Sequence, residues 1–157
     1  MRVVGGLTMV AHGVNHIFGG GKIAGTGRWF TSLGMRNGPL QAWTASVTEI
    51  AAGLGLAFGV VTPLCAAGFV GVMTVAIVTV HSKNGFFIIK EGWEYAAAII
   101  TYAVLLATIG PGRYSIDRLL GIDDTLSGWL GTAIALAGAV VAFLQLAIFY
   151  RPERSPK

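Results

Sequence analysis

The sequence is poor in sulfur and poor in charge. Cys65 is the single cysteine in 157 residues, so neither an internal disulfide nor a dithiol redox centre can form within the chain, and its apolar setting reads as packing. Charged residues make up 11%, about half the share of an ordinary soluble domain. No flavin, nucleotide or iron–sulfur motif is present. "GGGK" at residues 19–22 lacks the spacing and the following Ser or Thr of a phosphate-binding loop. No small-residue cleavage site interrupts the first apolar run, so no cleavable signal peptide is expected. The net charge is +4, but the basic residues sit in loops and in the C-terminal tail, which suits lipid headgroups and topology rather than nucleic acid.

What is abundant is apolar sequence, at 54%, with 23 glycines, a residue that lets membrane helices approach closely. Five apolar segments stand out: Arg2 to Phe18, Leu40 to Val61, Leu64 to Val80, Trp93 to Ile109 and Gly128 to Tyr150. Backbone polar groups in lipid must be satisfied within each segment, so these read as helices. The fold expected is all-α, an integral membrane helical bundle formed as one domain over residues 1–157. It has a four-helix core over 1–112, a short interfacial segment over 113–127 and an extra fifth transmembrane helix over 128–150. Pro63 in "VVTPL" marks a tight turn between the second and third helices. Ser115 reads as the N-cap of a short amphipathic surface helix. Residues 19–39 read as a long Gly-rich loop folded back on the bundle, with Trp29 and Phe30 as interface anchors.

Five spans put the termini on opposite sides. Lys22, Arg28, Arg36, Lys83, Lys90, Arg151, Arg154 and Lys157 share one side, against Arg2, Arg113 and Arg118 on the other. Eight against three predicts a cytoplasmic C-terminus in a bacterial-type plasma (inner) membrane. In the fifth helix Gly131, Ala135 and Ala139 form a small-residue stripe suited to packing outside the core or against another chain.

The ionisable residues of the spans converge. His12 and His16 lie one turn apart in the later half of the first helix, and Glu49 lies early in the second. His81 ends the third, and Glu91 and Glu94 open the fourth. All fall in the membrane half covered by the long loop, whereas Gln145 in the fifth helix adds nothing comparable. Ligand-pocket candidates are therefore His12, His16, Glu49, His81 and Glu94, with Lys22, Arg28 and Trp29 from the covering loop. His16 alone, near its helix end, reads as packing. A glutamate in an apolar helix needs a partner or a proton, so Glu49 is expected either protonated on His12 or ionised beside Arg28 or a charged histidine. Two histidines four apart cannot grip one haem from both faces, and no dense ligand motif supports a metal. An apolar cavity with His and Glu suits a quinone.

The segments "AHGVNHIFGG", "GTGRWFTSLGM", "VTEIAAGLGLAFGVVTPL", "HSKNGF", "EGWEYA" and "GPGRYSID", in this order over about residues 7 to 118, resemble the DoxX family of small membrane proteins. The resemblance implies a four-helix membrane bundle related to the DoxD subunit of thiosulfate:quinone oxidoreductase. It also implies relatives that anchor detoxification enzymes to the membrane, and a wider kinship with MauE proteins and thiol–quinone enzymes, whose paired cysteines this chain lacks. His12, Glu49, His81 and Glu94 are the family-like polar residues. The expected function is a membrane subunit of a redox system, in the bilayer and partnered by other subunits or soluble redox enzymes, with a quinone or small ligand in its pocket. The alternatives are a non-catalytic anchor or scaffold for soluble enzymes and a small-molecule or proton carrier.

Overall fold

The computed structural model describes residues 1–152, which are helical with no β-strand among them. In chain order the helices are α1 (Arg2–Phe18), α2 (Lys22–Ser32), α3 (Gly38–Phe58), α4 (Thr62–Ala76), α5 (Glu94–Ile109), α6 (Ile116–Leu119), α7 (Asp123–Leu126) and α8 (Gly128–Phe149). A π-helical turn, Ile77–His81, prolongs α4. Among the described residues two helices are long and apolar enough to cross a membrane: α4 with its continuation, Thr62–Asn84, and α8.

Helix α4 is the hub, packed against α3, α5 and α8, while α1 lies along α3. Missing side chains permit the closest crossings. A Cβ on Gly53 would lie 2.6 Å from Gly6 O, and one on Gly13 would lie 2.8 Å from Ser46 O, so α1 and α3 meet backbone to backbone. Helix α8 meets α4 in the same way at Gly138, where a Cβ would overlap the Ala67 carbonyl oxygen. The main core joins Met9, Leu56, Phe69, Val70, Leu106 and Ala135 from these helices.

The α3–α4 turn is strained and externally held. Gly59 takes φ 68, which glycine tolerates, but Val61 takes φ 43, a conformation that a β-branched residue rarely adopts. The Val61 and Thr62 backbone N–H groups donate to Asp117 Oδ1 at 2.6 Å and Oδ2 at 2.9 Å. From the other side Arg2 donates to the Leu56 and Ala57 carbonyls at 3.2 and 3.1 Å. An anion therefore meets the start of α4 and a cation the end of α3, the favourable pairing with each helix dipole.

Three expectations are modified. Residues 19–39 are not simply a loop, because they contain α2, whose Phe30 packs with Met35, Ala42 and Leu146. The segment after Ser115 is capped as expected, Ser115 Oγ accepting from Arg118 N at 3.2 Å. Its Asp117, however, is 1% exposed and turned onto the bundle. Arg118 is engaged by the hydrogen bond to Asp123, with Asp124 nearby, and both raise its pKa above the usual arginine value. In α8 the buried stripe is Gly131, Ala135, Gly138 and Ala142, not Ala139, and it is used within the chain against α4 and α5. The end of α8 closes on the α2–α3 connector: Arg36 N donates to Phe149 O and Arg151 N to Gly34 O, each at 2.8 Å. Arg154 and Lys157 of the tail lie outside the described residues.

Candidate functional site

Helices α1, α3, α4, α5 and α8 enclose a largely apolar cleft of about 1360 Å³, larger than the roughly 300–1,000 Å³ of common small-molecule sites. Small residues make the room: Gly68, Gly71 and Ala76 of α4 and Gly138 of α8 line it. Helix α1 contributes one stripe, Gly5, His12 and His16 among it, as the helical repeat dictates. Helices α1 and α5 both line the cleft and are joined where Tyr102 Oη donates to Met1 O at 3.1 Å.

Glu49 is 4% exposed and lines the cleft. Its partner is His16, with Nε2 3.5 Å from Oε2. The bare Cα of Gly13 lets α1 settle against α3, a Cβ there being only 3.1 Å from Glu49 Cβ. One turn further along α1, His16 then overhangs the carboxylate. The separation exceeds the roughly 3.2 Å of a good N–H···O bond, and Oε2 has no hydrogen-bond partner among the described residues. A buried carboxylate left this open is costly unless a ligand or proton completes it.

The other candidates divide. His12, His81 and Trp29 line the cleft; Lys22, Arg28 and Glu94 do not. His12 is exposed on α1, and Lys22 and Arg28 are exposed on α2, so neither His12 nor Arg28 is the ion-pair partner of Glu49. Glu94 Oε2 accepts from Ile88 N at 2.9 Å, which pins the α4–α5 connector. That connector is bonded to itself, with Trp93 N donating to Gly85 O at 3.2 Å and Glu94 N to Phe86 O at 2.9 Å. The Phe86 and Trp93 rings pack edge to face at 4.8 Å. His81 ends the π-helical turn, a feature frequent at functional sites, and its Nδ1 lies 2.7 Å from Glu91 O.

Helix α8 contributes more than its sequence promised. Gln145 Nε2 donates to Gln41 Oε1 at 2.6 Å, and both amides line the cleft. The available signal was a lone amide in an apolar helix, which needs a partner. Among the described residues no three His, Cys, Asp or Glu side chains gather to hold a metal ion. Cys65 is a free thiol that donates to Val60 O at 3.2 Å, beside the α3–α4 turn.

A family model described as DoxX matches residues 1–82. The chain belongs to the DoxX family. The match runs from α1 through the π-helical turn and so includes His12, His16, Glu49 and His81, while α5 to α8 follow it. This DoxX protein is a membrane protein, and its apolar helices agree with that. Neither the curated proteins nor the solved structures compared with the chain contain a match.

Proposed function

We propose that this DoxX protein is a membrane subunit of a redox system and that its cleft holds a quinone-type ligand, ring at the His16–Glu49 end and tail along the small-residue wall. The observation that carries this reading is the buried Glu49 carboxylate, with Oε2 unsatisfied beside His16, in a largely apolar cleft of about 1360 Å³. The imidazole–carboxylate pair can hold one shared proton while net neutral and can pass it to a ligand oxygen as a general acid, which leaves a neutral imidazole beside a carboxylate until water returns a proton. The size suits a ring with part of a hydrocarbon tail. With no flavin, nucleotide or iron–sulfur motif in its sequence, the chain draws its electrons from a partner protein.

In this reading α1, α3, α4 and α5 form the four-helix core in one domain, α8 is the fifth span and α6–α7 lie at the membrane surface. The Lys/Arg asymmetry supports a cytoplasmic C-terminus in a bacterial-type inner membrane. The test is photolabelling of the full-length chain in nanodiscs with an azidoquinone. Saturable labelling of α1, α3 or α5 is expected, reduced about tenfold or more in Glu49→Gln, which keeps the shape and removes the charge. Labelling that does not saturate, or that ignores this substitution, overturns the reading. A C-terminal reporter active only outside the cytoplasm overturns the orientation.

A further inference from the structure

Resting on the quinone-type reading, we propose that the cleft prefers the hydroxyl-bearing, reduced form of its ring ligand over the carbonyl form, and that His81 is the residue that sets this preference. The starting point is the 2.7 Å contact between His81 Nδ1 and Glu91 O. A carbonyl oxygen can only accept, so Nδ1 carries the hydrogen, and in the neutral ring Nε2 is a bare lone pair.

The carbonyl cannot easily turn away. Glu91 closes the turn Ile88–Lys90 with φ 59, its N–H donates to Ile88 O at 2.8 Å, and Asn84 Nδ2 donates to the Glu91 carbonyl at 3.3 Å. Half-buried and lining the cleft, His81 thus offers the ligand an acceptor. Glu49 offers a second. Its Oε2 has no hydrogen-bond partner among the described residues, and a carboxyl group keeps an accepting oxygen whether it is neutral or ionised.

Several other donors on the wall are already committed. Thr79 Oγ1 donates to Val75 O at 2.8 Å, Tyr102 Oη to Met1 O at 3.1 Å and Gln145 Nε2 to Gln41 Oε1 at 2.6 Å. A quinone carbonyl placed at His81 Nε2 sets lone pair against lone pair and leaves both unpaired, whereas a quinol O–H donates to it. Sites built to bond a hydroxyl reject the analogue that lacks one. A single such hydrogen bond is worth about tenfold in affinity.

The experiment measures binding of decylubiquinol and decylubiquinone to the full-length chain in nanodiscs at about pH 8, above the ordinary histidine range. It compares the parent with His81→Phe, and nitrogen NMR of ring-labelled histidine in the parent reads the tautomer. Quinol binding about tenfold tighter than quinone is expected, with the preference largely lost in His81→Phe and an unprotonated Nε2 at His81. Equal binding of the two forms, tighter quinone binding, an unchanged preference in His81→Phe, or a neutral His81 protonated at Nε2 overturns the proposal while leaving the quinone-type reading intact. Binding of neither form overturns that reading and this proposal together. The NMR observation decides even if the Phe variant fails to fold.

Discussion

Asp117 Oδ2 lies 2.7 Å from Thr62 Oγ1, although the two residues are 55 positions apart. The same carboxylate receives the Val61 and Thr62 backbone N–H groups, so one surface-segment side chain caps α4 and restrains the turn that feeds it. A helix start ordinarily finds its cap in the residue just before it; here Val61 offers no side-chain oxygen and the cap comes from a remote segment.

Asp117→Ala is expected to lower stability by about 3 kcal/mol, since it strips a charged acceptor from three donors. Asp117→Asn is expected to cost roughly half as much, because its amide keeps one accepting oxygen and turns N–H groups toward another donor. Thermal unfolding in detergent, followed by circular dichroism, measures both, and equal costs for the two variants would contradict this capping geometry.

Val61→Gly is expected to stabilise. Relief of the left-handed conformation at φ 43 returns about 1–2 kcal/mol, while the added freedom of the unfolded chain costs about 0.5–1 kcal/mol. A net gain of up to about 1.5 kcal/mol follows from that difference. An unfolding midpoint at or below the parent's would show that the turn is not strained.

Glu49→Leu is expected to separate stability from binding. Replacing a buried ionisable group by a packed apolar side chain is often neutral or stabilising, and the loose 3.5 Å contact to His16 gives little to lose. The unfolding midpoint should hold or rise while ligand labelling disappears. A collapse of folding would instead make Glu49 a structural residue.

Ala135→Leu is expected to act within one chain. Ala135 is fully buried in the main core, so the added bulk should cost about 1–3 kcal/mol by overpacking. The oligomeric state, read by native mass spectrometry, should not change. A stable protein with altered stoichiometry would point to an intermolecular role for this stripe.

The long helices were legible because each announces itself locally through an apolar run bounded by Gly or Pro; α1 runs over the residues its apolar segment marks, Arg2–Phe18. Helix α2 was not, because its glycines each cost about 1 kcal/mol in a helix and its stability comes from Phe30 packing on Ala42 and Leu146. The site was half visible. Charge in an apolar helix singled out Glu49, but its choice of His16 over His12 depends on how closely Gly13 lets α1 approach α3, which spacing alone does not encode. Gln145 and Asp117 looked ordinary because their partners, Gln41 and Thr62, are far away in the chain.

The cleft takes its wall from both ends of the polypeptide, His16 in α1 and Gln145 in α8, and this sets a schedule for biogenesis. The α8 residues that line the cavity run from Ile134 to Gln145, so one side of it stays open until α8 has been made. On the quinone-type reading, a chain stalled ahead of α8 lacks this wall and is expected to label weakly with an azidoquinone.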